Sequence, residues 1–137
     1  MSQPTRAEIM RAFVPASPFA KELGIEIVDL RLDHAELRLP WSPRLATMGE
    51  VVHGGAIATL LDTAGMAAAW SDDFEPEKTA GATVSMNVNY AAAAVASDLL
   101  ADARVVRRGR SLCFCEVHVT DATGTVVAHG SMVHRYG

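Results

Sequence analysis

A chain of 137 residues is one domain long and can bury about two-thirds of its unfolded surface in a single core, with no room for a second domain. Half of the residues are hydrophobic, 20% are charged and the formal net charge is -4, the balance of an ordinary soluble globular protein and not that expected of a nucleic-acid binder. The opening MSQPTRAEIMRAF lacks the unbroken apolar run of a secretory signal, and the most apolar stretch carries Asp62 and three glycines, so the expectation is a cytoplasmic protein with no membrane partner.

In chain order, residues 5–23 predict one or two short flanking helices punctuated by Pro15 and Pro18, with SPFAKELG offering a Ser cap, a helical turn and a Gly stop. IEIVDLRL (25–32) and HAELRLP (34–40) alternate apolar and polar residues and predict two half-buried strands in a hairpin. WSPRLATMGEVV reads as irregular, residues 53–71 as a helix and SDDFEPEKTAG as a polar loop. Four strands follow: TVSMNVNY, LLADARVV, SLCFCEVHV and TVVAHGSMVHRY. RRGR and DATG supply turns, and AAAAVAS ends a strand loosely. In TVSMNVNY the alternation places Val84, Met86, Val88 and Tyr90 on one face and Thr83, Ser85, Asn87 and Asn89 on the other.

Cys113 and Cys115, separated by one residue, share a strand face, which is poor disulfide geometry. The histidines (His34, His53, His118, His129 and His134) form no ligand cluster with them at metal-site spacing, so buried structural thiols are expected and no metal or redox cofactor. A helix apolar on every side must be buried on every side. The order β-β-α-β-β-β-β therefore predicts an α+β domain in which about six antiparallel strands wrap around one long central helix. A single carboxylate in that helix, Asp62, needs a reason, because proteins neutralise, pair or use a buried carboxylate.

Consecutive glycines where the helix starts, Gly54 and Gly55, let a ligand approach the backbone, and the free N–H groups and positive dipole end there favour an oxyanion. Thioester hydrolysis needs such a hole together with a carboxylate that attacks the carbonyl or activates water. Gly54 and Asp62 are eight residues apart, roughly 12 Å along a helix, too far to serve one carbonyl from one chain. If both act, the site is shared between subunits and the protein is at least a dimer. The alternatives are a satisfied core network for Asp62, a capping role for His53 and mere helix-entry glycines.

The ordered set of HGG (His53, Gly54, Gly55), an acid nine positions after the His (Asp62), a downstream GATVSMNVNY strand and a GRSL turn (109–112) resembles the hotdog-fold acyl-CoA thioesterases of the phenylacetate-pathway (PaaI-like) type, over nearly the whole chain. The resemblance implies a single hotdog domain over 1–137 with 1–23 flanking it, an acyl-CoA substrate, Asp62 as nucleophile or general base, and the Gly54 N–H as oxyanion donor. It also implies supporting roles for His53, for the Thr83 hydroxyl, and for Thr47, where relatives often carry Asn. It gives the same composite dimer, within a tetramer. Gly55 is assigned to coenzyme A contact. Arg107, Arg108, Arg110 and Ser111 form either a solvated turn or a clamp for the phosphates of coenzyme A, which is substrate and not cofactor. The reaction read from this pattern is hydrolysis of an aryl- or medium-chain acyl-CoA. Rivals are a non-catalytic acyl-CoA binding or sensing module and a hotdog hydratase or dehydratase.

Overall fold

The computed structural model describes residues 2–136. Helix α1 (Arg6–Ala16) begins at Thr5, whose hydroxyl accepts from the Glu8 N–H while the Glu8 carboxylate accepts from the Thr5 N–H. This reciprocal cap satisfies two orphan donors. Pro15 lies within the last turn of α1 and does not end it; Pro18 opens α2 (Pro18–Leu23), and Gly24, at φ 81°, stops it. Ser17 occupies the capping position of α2 without making a side-chain cap bond.

Strands β1 (Glu26–Arg31) and β2 (His34–Leu39) form the expected hairpin and turn at Asp33, whose φ of 60° is a left-handed geometry that Asp tolerates. The stretch read as irregular contains a 3-10 turn (Pro43–Leu45) and a small ribbon of β3 (Ala46–Met48) with β4 (Val51–Val52), which delivers the chain to helix α3 (Gly54–Ala69). Strands β5 (Ala82–Tyr90), β6 (Leu99–Arg108), β7 (Leu112–Thr120) and β8 (Val126–Arg135) complete the main sheet. Its order is β1-β2-β6-β7-β8-β5, every neighbouring pair is antiparallel, and it wraps around α3. This is the hotdog arrangement of the α+β class.

The inward faces of β6, β7 and β8 bury Ala101, Ala103, Val117, Val119 and Met132 against Leu60, Leu61 and Ala64 of the helix. Small residues on both surfaces let them meet closely. At Gly65 a Cβ would stand 2.5 Å from Met132 Cγ, so the helix lies nearer the sheet there than any side chain permits. Cys113 and Cys115 sit on this inward face as free, buried thiols, and Cys115 donates weakly to the Gly65 carbonyl at 3.6 Å. No helix among the described residues is long and apolar enough to cross a membrane.

Two expectations are corrected. Helix α3 is not enclosed on every side: Thr59, Asp62, Thr63 and Met66, spaced i, i+3, i+4 and i+7, form a stripe that is only half-buried, because the sheet covers the other side and α1 and α2 cover this one incompletely. The alternation along β5 is also broken. Thr83 lies opposite His134 but Ser85 lies opposite the adjacent Val133, so Val84 is an inserted bulge residue, 51% exposed. The bulge transfers Thr83 from the face of Ser85, Asn87 and Asn89 to that of Met86, Val88 and Tyr90, which looks toward α3.

Candidate active site

The predicted site residues fall at three places along α3. At its start, His53 is the N-cap: its Nδ1 accepts from the Gly55 N–H at 2.8 Å, and its carbonyl accepts from Ala56 and Ile57. The capping alternative for His53 is therefore a fact of the structure, and it commits the Gly55 N–H. The Gly54 N–H has no hydrogen-bond partner among the described residues. Of the two glycines, Gly54 alone presents an open donor at the positive end of the helix dipole.

Tyr90, at the end of β5, closes over this donor. Its hydroxyl donates to the Gly54 carbonyl at 2.8 Å, and a Cβ on Gly54 would stand 3.3 Å from the Tyr90 ring. Gly54, Tyr90 and Thr47 line one cavity of about 410 Å³ with the alanines at 91–94. Thr47 thus shares a cavity with the open Gly54 N–H, and Tyr90 joins them without having been singled out in the sequence.

Two turns further along, Asp62 projects from the half-buried stripe. The Thr83 hydroxyl donates to its Oδ1 at 2.6 Å, a short bond that holds one carboxyl oxygen and leaves Oδ2 without a partner among the described residues. This contact exists because of the Val84 bulge. Asp62 lines a different cavity, of about 240 Å³, with Phe13, Phe19, Thr59 and Met66. Within one chain the structure does not bring Gly54 and Asp62 together, as expected for a separation of about 12 Å along the helix.

The third place is the far end of α3. Arg108 donates to the carbonyls of Ala69 (2.6 Å) and Ala68 (3.3 Å) and to the Tyr136 hydroxyl, and pairs with Asp33 (2.8 Å) and Asp72 (3.1 Å). Burial works against its charge, yet the Asp33 bond and the surrounding groups hold its pKa above the ordinary value. It is a cap on the helix C-terminus, with its donors committed inward and not to a phosphate. We expect Arg108→Met to lower stability by about 2–3 kcal/mol in urea unfolding, because two carboxylates and two helix carbonyls lose their donor. Arg110 and Ser111 line a cavity of about 440 Å³ together with Lys78, Glu75 and Glu77, and Arg107 is exposed on β6.

A family model described as the thioesterase superfamily matches residues 49–128. The chain belongs to the thioesterase superfamily. A protein of Halobacterium salinarum is 34% identical over 93% of this chain and 85% of its own length, and human acyl-coenzyme A thioesterase 13 is 29% identical over 100% of this chain and 97% of its own. The solved structure of a thioesterase family protein from Silicibacter pomeroyi, 26% identical, matches with a TM-score of 0.86 over 96% of this chain and 99% of that one. The superfamily span includes the HGG start of α3, Asp62, Thr83, Tyr90 and the basic turn, and a general thioester-hydrolase activity goes with it. Thr47 lies just outside it.

One ligand-like cluster was invisible in sequence. His34, Glu36 and Asp102 carry ligand atoms within 4.8 Å of one another because β2 and β6 pair Glu36 with Asp102. Two of the three are already paired: His34 Nε2 is 3.1 Å from Asp102 Oδ2, and Arg104 donates to the other Asp102 oxygen at 3.3 Å, while Glu36 stands 4.0 Å from the His34 ring nitrogen.

Proposed function

We propose that the protein hydrolyses the thioester of an aryl- or medium-chain acyl-CoA to the free acid and CoA, as a member of the phenylacetate-pathway branch of its superfamily. The observation that carries this is the presence on one helix of an unpartnered Gly54 N–H at its start and a half-buried carboxyl group, Asp62, held at one oxygen by Thr83. The likeness to human acyl-coenzyme A thioesterase 13 supports coenzyme A as the thiol. The thioester oxygen sits on the Gly54 N–H, which stabilises the charge that develops there. Asp62 either takes a proton from the water that attacks the carbonyl carbon and passes it to the thiolate as the C–S bond breaks, or attacks that carbon itself, expelling the thiolate, which is protonated from solvent, and leaving an acyl-Asp62 anhydride that water then hydrolyses to the free acid. His53 and Thr47 shape the mouth, and Arg107, Arg110 and Ser111 receive the phosphate end of coenzyme A. This hydrolysis requires no cofactor, because carboxylate, water and helix N–H supply every role.

The site is composite. Strand β5 has a sheet neighbour on one side only, and it exposes Val84, Met86 and Tyr90 at that edge, a pattern that a solitary protein usually blunts. A second copy of β5 laid antiparallel along this edge in full overlap sets the Thr83 end of one strand beside the Tyr90 end of the other. Thr83 carries Asp62 and Tyr90 covers Gly54, so each two-fold pairing joins the carboxylate of one chain to the oxyanion donor of its partner. Such dimers assemble further into tetramers.

The test is thiol release from a panel of acyl-CoA thioesters, with crotonyl-CoA followed for hydration as well. Free CoA from aryl-acetyl or medium-chain thioesters is the expected result. Hydrated product without free thiol assigns a hydratase, and tight binding without any product assigns a sensing module.

A further inference from the structure

Two consecutive glycines, Gly54 and Gly55, open α3, and glycine has more backbone freedom to lose in a helix than any other residue. A donor stabilises developing charge only when it is held in place before the reaction, so Gly54 needs a restraint. The main chain supplies part of it: the His53 carbonyl, in the same peptide unit as the Gly54 N–H, accepts from Ala56 and Ile57. The next peptide unit, between Gly54 and Gly55, is gripped by side chains at both ends. His53 Nδ1 accepts from its N–H at 2.8 Å, and the Tyr90 hydroxyl donates to its carbonyl at 2.8 Å.

Tyr90 makes a second contact with the same residue. Its Cε1 and Cζ lie 3.3 Å from the point where a Gly54 Cβ would stand, so ring and hydroxyl hold Gly54 from two directions. The side chain is 54% exposed and its hydroxyl has water within reach, yet it is committed to a main-chain carbonyl. Among the described residues β5 makes one other side-chain hydrogen bond to α3, from Thr83 to Asp62. One strand thus restrains both functional residues of the helix, the donor from its last residue and the carboxyl group from its second.

We propose that Tyr90 is a positioning residue for the hydrolysis: it fixes the Gly54 peptide so that the N–H points at the thioester oxygen, in the site that Asp62 of the partner subunit completes. The inference rests on the thioesterase reading and adds a residue to its machinery. Tyr90 acts through Gly54 and bonds no reacting atom. A well-aimed N–H counts most once charge has developed on the oxygen, so loss of the hydroxyl weakens the hold on the transition state more than the hold on the substrate.

Tyr90→Phe keeps the ring against Gly54 and removes the hydroxyl alone. With the acyl-CoA of the panel that wild-type protein hydrolyses fastest, kcat is expected to fall about tenfold while KM stays within about twofold. Unchanged kcat, or a change in KM alone, overturns the proposal and leaves thioester hydrolysis standing. A second arm separates positioning from a general weakening of the protein. When Gly54→Val chains are mixed with Asp62→Asn chains, the intact site of a mixed dimer takes its Gly54 from the Asp62→Asn chain. Tyr90→Phe placed on that chain is expected to leave about tenfold less restored activity than Tyr90→Phe placed on the Gly54→Val chain. Both mixtures hold the same number of Tyr90→Phe chains, so any loss of folding or exchange affects them alike, and equal activity in the two overturns the proposal. If the mixture is inactive even without Tyr90→Phe, the shared site fails and the kcat and KM of the Tyr90→Phe homodimer decide. Wild-type protein that releases no thiol from any thioester removes the hydrolase reading and this inference with it.

Discussion

Asp62→Asn lowers turnover by about a hundredfold or more while acyl-CoA binding and folding persist, measured by steady-state thiol release beside calorimetric binding. The amide retains the volume of the carboxylate and can still accept from the Thr83 hydroxyl, so the Oδ1 contact at 2.6 Å has a substitute. What it lacks is an oxygen that attacks or takes a proton. Retention of most wild-type turnover removes Asp62 from the chemistry. Single-turnover hydrolysis in ¹⁸O-labelled water then tests for a covalent route: label in the Asp62 side chain shows direct attack followed by hydrolysis at the Asp62 carbonyl, which general-base catalysis never produces, and trapping of an acyl-enzyme with hydroxylamine detects direct attack followed by hydrolysis at the acyl carbon.

The elements were legible from periodicity because each carries one period over most of its length. Strand β7 alternates throughout, β6 and β8 alternate apart from one irregularity each, between Val105 and Arg107 and between Val126 and Ala128, and α3 starts at the HGG and ends where polar residues resume. The reading failed where register between strands decides the outcome. TVSMNVNY alternates without a flaw, so nothing within it marks Val84 as a bulge; only its pairing with β8 does, and that pairing sends Thr83 to Asp62. The apolar composition of α3 hid the half-buried stripe, because Thr, Met and Ala suit a buried face and an interface equally well.

Partner choice among like residues was the second loss. Arg107, Arg108 and Arg110 are indistinguishable as a basic run, but Arg108 lies within reach of the last carbonyls of α3 and of Asp33 and Asp72, contacts 36 to 75 residues away in sequence. Tyr90 was missed for the same reason. It reads as a strand aromatic until the fold places it over Gly54.

Mixing two inactive variants restores activity if the site is shared. Gly54→Val obstructs the oxyanion donor, since even a Cβ there stands 3.3 Å from the Tyr90 ring and a branched side chain needs more room, while Asp62→Asn removes the carboxylate. Each homodimer has two dead sites. A mixed dimer has one doubly damaged site and one whose Gly54 and Asp62 both come from undamaged halves. With random exchange about half of the dimers are mixed, so about a quarter of wild-type activity returns. The reciprocal mixture sharpens the result. Wild-type chains combined in equal amount with chains carrying both substitutions form mixed dimers in which neither site is whole, so activity falls to about a quarter of that of the same total of wild-type protein; a site confined to one chain would retain about half. Native mass spectrometry of differently tagged chains verifies the exchange. Mixed dimers that form but stay inactive in the first mixture, with half activity in the second, would place the whole site within one chain and require an oxyanion donor nearer to Asp62 than Gly54, which two turns of α3 hold at about 12 Å.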